Sequence, residues 1–386
     1  MSHLLNVYKR YDVAFERGKG VSLFDKDGNE YIDFTSGISV VNLGHCNDEI
    51  SAAIYKQATT LLHTSNLFIN PLQEKLASVL SDASIGGDVF FCNSGTEAGE
   101  AAMKLARIYG NKKYDGLRYK IISMKNSFHG RSFATLSVTG QEKIRAGFEP
   151  VLDFIRYVPI NDIKAFYEEA KDDDVVAVII EVIQGEGGVI PASESYLERV
   201  RSYCSDKDII LIFDEVQTGM GRTGALFGYQ HYKFEPDVIT VAKALANGIP
   251  MGAMVAKKQF GDYLTMGTHG STFGGNYLAC SVALKVLEII NNKKFLCEVR
   301  EKGEYLKKRI GHIVSNIGEV RGEGLMLGMQ LEHIKSEKFI KKCIEKKLLV
   351  IPSANNTVRL YPPLTVSLEE LDEGCERISS ALGEFF

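Results

Sequence analysis

The run Ile209-Ile210-Leu211-Ile212-Phe213-Asp214-Glu215-Val216-Gln217-Thr218-Gly219 decides how this chain is read. Its apolar part is too continuous for a strand with one wet face, so it predicts a strand covered on both sides, as in a parallel sheet. The same kind of run recurs at Asp88–Cys92, Tyr119–Met124, Val175–Glu181 and Val238–Val241, and here extends from Asp208 to Phe213. Helical patterns lie between. After Ser94, residues Ala98, Ala101, Ala102, Leu105 and Tyr109 follow the rhythm of one helix face. The alternation predicts an α/β domain. Towards the end the texture changes. Long lysine-rich amphipathic helices are expected from Asn276 to about Ile317, followed by a strand around Leu325–Leu331 and a helix around 336–347. Short strands near 348–351 and 357–361 come next, then a last helix opened by the capping box Ser367-x-x-Glu370. At the other end, Val21–Thr35 reads as a hairpin turning at Lys26-Asp27-Gly28-Asn29. The expected organisation is a large α/β domain over 46–275, with a smaller α+β domain built from both chain ends, 1–45 and 276–386.

Composition narrows the function. With 386 residues, 45% hydrophobic and 24% charged, the chain can bury a large core. Charges nearly cancel, 45 Lys+Arg against 49 Asp+Glu, so no basic field invites nucleic acid or an anionic membrane. No apolar run approaches the roughly 20 residues of a membrane helix. The first residues lack the pattern of a secretory signal, and a cytoplasmic protein is expected. Seven scattered cysteines without CxxC spacing read as reduced thiols, and the eight histidines show no metal-binding spacing, so no metal site is expected.

Ligands of open α/β sheets bind at the carboxyl ends of strands, so the residues that follow each strand carry the chemistry. After Val89–Cys92 comes Asn93-Ser94-Gly95-Thr96-Glu97, where Ser94-x-x-Glu97 opens a helix. Free N–H groups there suit a phosphate, and the same pattern also serves as an ordinary helix cap. Asp214 ends a fully apolar strand and needs a cation: a protonated pyridine nitrogen or a structural arginine. Glu215 points the other way, so one of the two serves, and Asp214 is the choice. Lys243, in Ala242-Lys243-Ala244-Leu245-Ala246-Asn247-Gly248, stands among small and apolar residues. Such a lysine can lose its proton and form a Schiff base with an aldehyde, or it can simply snorkel. Phosphate cradle, buried carboxylate and desolvated lysine, in that order, are together what pyridoxal 5'-phosphate requires. Gly219-x-Gly221-x-x-Gly224 fits a dinucleotide fingerprint, but the stretch after it ends at Pro236 without a helix, so that reading is set aside.

From these residues the chain resembles the class III aminotransferases of the ornithine/acetylornithine type, pyridoxal-phosphate enzymes of fold type I. The likeness runs from Asp33-Phe34 to Pro362-Pro363. It rests on SGTEA at 94–98, SFHGR at 127–131, EVIQGEGG at 181–188, DEVQTGMGRTG at 214–224, AKALANG at 242–248 and GSTFGGN at 270–276. The resemblance implies that Lys243 carries the cofactor and moves the proton, and that Asp214 pairs with the pyridine nitrogen. Gln217 would bond the phenolic oxygen, Phe128 would stack on the ring, and Ser94, Gly95 and Thr96 would hold the phosphate. Thr272 would join them from the other subunit of a homodimer with shared active sites.

It further implies that Arg131 takes the distal carboxylate of 2-oxoglutarate and Arg359 the α-carboxylate of glutamate. Glu186 would pair with Arg359 when the donor has no carboxylate beside the reacting carbon, and Ser271 is counted with the substrate-binding residues. The expected donor is therefore a terminal amine such as the δ-amine of N2-acetylornithine, as in arginine biosynthesis. Succinyl-diaminopimelate, ornithine and 4-aminobutyrate are the alternatives. Ile38 stands where ornithine aminotransferases have tyrosine. The chain departs from the pattern in three places: Gly99 for the usual Asn, Tyr277 for the usual Pro, and Asn47-Asp48 for the usual His-Pro.

Overall fold

The strand Ile210–Asp214 is the middle strand of a seven-stranded sheet in the computed structural model, which describes residues 3–386. From one edge the order is Asp88–Cys92, Gly252–Ala256, Val238–Val241, Ile210–Asp214, Val175–Ile180, Lys120–Met124 and Ile155–Val158. All the pairings are parallel except those of Gly252–Ala256, which runs against both its neighbours. The continuous apolar runs have the expected cause. Leu211 and Phe213 enter one buried core, while Ile210 and Ile212 enter a second core on the opposite face. Each such side chain contributes about 1.5–3 kcal/mol on burial. Two strands of this sheet lacked a sequence signal: Ile155–Val158, a short edge strand, and Gly252–Ala256, whose small residues carry little β preference.

The helix Gly95–Lys113 covers the second face with Ala101, Ala102 and Leu105, alanines that let it lie close to the strands. Its start is capped more elaborately than a simple box. The Ser94 hydroxyl accepts from the Glu97 N–H (3.3 Å), while the Glu97 carboxylate accepts from Ser94 Oγ (2.8 Å) and the Asn93 N–H (2.9 Å).

The chain ends meet. Glu30–Asp33 pairs in parallel with Leu348–Leu349, extending the sheet of Phe15–Lys19 and Ser22–Asp25, and the turn falls at 26–29. A further antiparallel sheet joins Gly318–Glu323, Met326–Leu331, Thr357–Leu360 and Ile351–Ser353. The lysine-rich region is two helices, Tyr277–Ile290 and Lys293–Ile313, capped by Asn276 and Asn292. The last helix, Leu368–Leu382, has the full reciprocal box between Ser367 and Glu370.

The departures from the family pattern have local reasons. A Cβ at Gly99 would lie 2.8 Å from Thr135 Cγ2. Asn47 caps the helix Asp48–Ala58. Tyr277 occupies a first helical position, where proline is favoured but its missing N–H is unpaired in any case. The seven cysteines are free thiols, five of them buried. Among the described residues no helix is long and apolar enough to cross a membrane.

Candidate active site

Three strand ends open on one cavity of about 440 Å³. Asp214, Gln217, Lys243 and the 94–96 turn line it, together with Phe128 and Arg131. The carboxyl end of Ile210–Asp214 divides its two acids by strand alternation. Asp214 faces the cavity, receives the Val216 N–H at 3.0 Å and lies 2.7 Å from His129 Nδ1. Glu215 is enclosed on the other side, where Thr218 Oγ1 and the N–H groups of Gly228 and Tyr229 donate to it at 2.5–2.8 Å. The GxGxxG stretch leads to a short 3₁₀ turn, Gly228–His231, and no crossover helix follows it.

Lys243 follows the neighbouring strand Val238–Val241, with a left-handed backbone (φ 48°) that is unusual for a side-chain-bearing residue. Among the described residues its ammonium meets no hydrogen-bond partner. Burial lowers its pKa, opposed by the charges of Glu186 and Asp214 and assisted by that of Arg359. An amine whose proton burial loosens, held without a partner, suits attack on a carbonyl.

At the helix end of the cavity, Ser94, Gly95 and Thr96 line it, and the N–H groups of Gly95 and Thr96 have no acceptor within their helix. The glycine is demanded by packing: a Cβ on Gly95 would lie 2.8 Å from Val216 Cγ1. The Thr96 hydroxyl is engaged with Thr135 Oγ1 (2.6 Å) and Ser132 Oγ (2.9 Å). Arg131 is exposed at the mouth, its guanidinium carbon 5.7 Å from the Phe128 ring centroid. Arg359 is 3% exposed and pairs with Glu186 at 2.5 Å. This pair stands beside the cavity, near enough for both charges to act on Lys243.

Ser271 and Thr272 are not brought into this cavity of their own chain. Ser271 Oγ accepts from the Gly274 N–H (3.0 Å) and Asn93 Nδ2 (3.3 Å), and Thr272 is exposed.

Two residues that line the cavity and two that lie behind it carried no assigned role in the sequence. His129 is enclosed against Asp214, and its Nε2 is buried without a partner. Burial works to lower its pKa, but the bond and charge of Asp214 and the charge of Glu181 outweigh it and raise it. Glu181 lines the cavity and accepts the Phe128 N–H at 3.0 Å, and burial pushes its carboxyl up to about 7. It ends the apolar strand Val175–Ile180, so the reasoning that found Asp214 applies to it equally. Tyr361 donates to Gln217 Oε1 at 2.9 Å.

The fourth is Arg222, fully buried inside the set-aside glycine motif. It donates to Ser39 Oγ, Asn42 Oδ1 and the carbonyls of Leu325 and Pro362 at 2.5–3.0 Å. That clamp holds four successive left-handed residues, Ser36 to Ser39, with the β-branched Ile38 at φ 66°.

These groups fit pyridoxal 5'-phosphate. An unpartnered amine, a buried carboxylate backed by histidine and a set of free helix N–H groups surround one cavity of suitable size.

Comparison with known proteins agrees with this geometry. The class-III aminotransferase model matches residues 6–382. An acetylornithine aminotransferase of Caldanaerobacter subterraneus subsp. tengcongensis is 47% identical over 99% of this chain and 98% of its own length. The ornithine aminotransferase of Toxoplasma gondii, crystallized in the presence of oxidized glutathione and with PLP partly occupying its active site, superposes with a TM-score of 0.95. It is 31% identical, covering 99% of this chain and 92% of that one. The N-acetylornithine aminotransferase of Stenotrophomonas maltophilia K279a has a TM-score of 0.86 at 34% identity, covering 98% and 97%. By its sequence, its fold and the groups around its cavity, this chain belongs to the class-III aminotransferase family.

Proposed function

We propose that this chain is a pyridoxal-phosphate-dependent aminotransferase that moves the terminal amino group of N2-acetyl-L-ornithine to 2-oxoglutarate. The products are N-acetyl-L-glutamate 5-semialdehyde and L-glutamate, and the step belongs to arginine biosynthesis. The observation that carries the reading is Lys243, an unpartnered, desolvated amine at the rim of a cavity that also holds Asp214. The similarity to acetylornithine aminotransferases over nearly the full length supports the donor.

When bound, the cofactor supplies a carbonyl for the amine and a ring that takes up the electrons released at the substrate carbon. The chain's residues do the rest. Lys243 Nζ, whose hold on its proton burial weakens, moves a proton to and from the substrate carbon. Asp214, fixed by His129 and the Val216 N–H, holds a proton on the ring nitrogen. Gln217 donates to the phenolic oxygen, Phe128 covers the ring face, and Ser94, Gly95 and Thr96 receive the phosphate. Arg131 takes the distal carboxylate, and Arg359 takes the α-carboxylate once Glu186 yields it. With a donor that lacks a carboxylate at the reacting carbon, Glu186 keeps Arg359 neutralised.

The enzyme works as a homodimer in which the partner subunit's Thr272 completes the site, and Ser271 is counted with the substrate-binding residues. The exposed Leu67, Phe68, Ile69 and Phe273 support a covered face beside that loop. The functional unit is a large domain over 46–275 closed by a smaller one from 1–45 and 276–386. The seven free thiols fit a reducing compartment such as the cytoplasm.

The test is the visible spectrum of the purified, loaded protein as N2-acetylornithine, ornithine, succinyl-diaminopimelate or 4-aminobutyrate is added singly without acceptor. Bleaching at low N2-acetylornithine supports the reading. Bleaching by 4-aminobutyrate alone keeps the chemistry and overturns the donor.

A further inference from the structure

Tyr361 is fully buried, although a phenol is costly to enclose unless its hydroxyl is satisfied. Its ring packs with Ile183, Val189 and Met326 in a small cluster apart from the two main cores. Its hydroxyl reaches the cavity wall and donates to Gln217 Oε1 at 2.9 Å. It lies two residues beyond Arg359, and the Arg359 guanidinium carbon is 5.8 Å from its ring centroid, as is that of Arg222. Despite two neighbouring cations the phenol keeps its proton, because burial raises its pKa and outweighs them. A neutral phenol has one proton to donate, and Gln217 takes it. With Oε1 occupied, the two N–H donors of the Gln217 amide are the groups left to face the cavity.

We infer that Tyr361 is a positioning residue: its hydroxyl fixes the orientation of the Gln217 amide so that the cavity presents N–H donors to an anionic oxygen and excludes the amide carbonyl. The inference rests on the cofactor reading given above and deepens it. One strand end, Thr357–Leu360 with the residue that follows, thereby orients both the arginine beside the cavity and the amide within it. Without the hydroxyl the amide loses the bond that tells its oxygen from its nitrogen, and in the flipped orientation its carbonyl oxygen repels the anion.

The experiment measures the dissociation constant for pyridoxal phosphate and the position of the visible band. It compares the unaltered protein, Tyr361→Phe, Gln217→Leu and the double variant. Phenylalanine keeps the ring packing, and circular dichroism with thermal unfolding checks the fold. Tyr361→Met, apolar and unbranched, repeats the test should the Phe variant not fold. The expected result is a ~5-fold weaker affinity for Tyr361→Phe with a displaced band, the scale of one hydrogen bond. Adding the change to Gln217→Leu should alter neither quantity, because the hydroxyl acts through the amide. Affinity within twofold of the unaltered protein, or the same ~5-fold loss in the Gln217→Leu background, would overturn the inference and leave the cofactor reading intact. If the unaltered protein gains no visible band with pyridoxal phosphate, both fall.

Discussion

Replacing Arg359 by alanine should separate the two halves of the reaction. Arg359 is 3% exposed and its one carboxylate partner, Glu186, has a side chain 28% exposed, so the arginine is enclosed while the carboxylate keeps part of its hydration. In the proposed glutamate half-reaction the arginine meets the α-carboxylate, and a charge-assisted hydrogen bond is worth about 1.5–3 kcal/mol. Two parallel bonds from one fork give ~3–6 kcal/mol, hence a loss of ~10²–10⁴-fold in kcat/KM. In the acetylornithine half-reaction no carboxylate meets Arg359. The loss there is that of a neutralised Glu186 close to Lys243, about 1 kcal/mol, or at most ~10-fold. The assay is a single-turnover spectrum of the loaded protein with each donor in turn, which isolates each half-reaction. Equal losses in both would refute the assignment of Arg359 to the α-carboxylate. A larger loss with acetylornithine would invert it.

Lys243→Ala should lower transamination by at least ~10²–10⁴-fold while the protein remains folded and still binds the cofactor, as checked by steady-state assay and equilibrium dialysis. Arg222→Leu should strip donors from the buried Leu325 and Pro362 carbonyls. At about 1–3 kcal/mol for each orphaned acceptor, less the relief of an enclosed charge, the cost is ~3 kcal/mol. For 386 residues that lowers Tm by ~4 °C in calorimetry, and an unchanged Tm would contradict the clamp. Glu181, with its carboxyl raised to about 7 by burial, holds its proton more tightly folded than unfolded. Its contribution to stability is therefore full below pH ~4.5 and lost as pH rises through about 7. Glu181→Gln should flatten the fall in stability over that window, measured by denaturant unfolding of cofactor-free protein at several pH values.

The site was legible wherever its residues announce themselves locally. Asp214 and Lys243 each close an apolar run, and a polar group there must be satisfied or used. Ser94 and Glu97 are spaced as a cap, and the last helix is announced by Ser367 and Glu370 in the same way. Such signals span a few residues and follow from backbone geometry alone. The antiparallel strand Gly252–Ala256 escaped because its residues are small and its place is set by the strands on either side.

Partnership was decided only by the tertiary structure. His129 meets Asp214 across 85 positions of sequence, Tyr361 meets Gln217 across 144, and Arg222 meets Asn42 across 180. No periodicity or cap relates residues so far apart, because chain folding, not local conformation, brings them into contact. Arg222 stands within a glycine pattern that in isolation suggests a nucleotide site, and its actual task is to hold Ser39 and Asn42 from the beginning of the chain against Pro362 near its end. The sequence by itself determined five of the seven central strands, the caps and the two chemical groups at neighbouring strand ends, since each depends on a short stretch of backbone. The orientation of the Gln217 amide, the histidine behind Asp214 and the clamp on the strained turn depend on packing between distant segments, and only the folded chain supplies it.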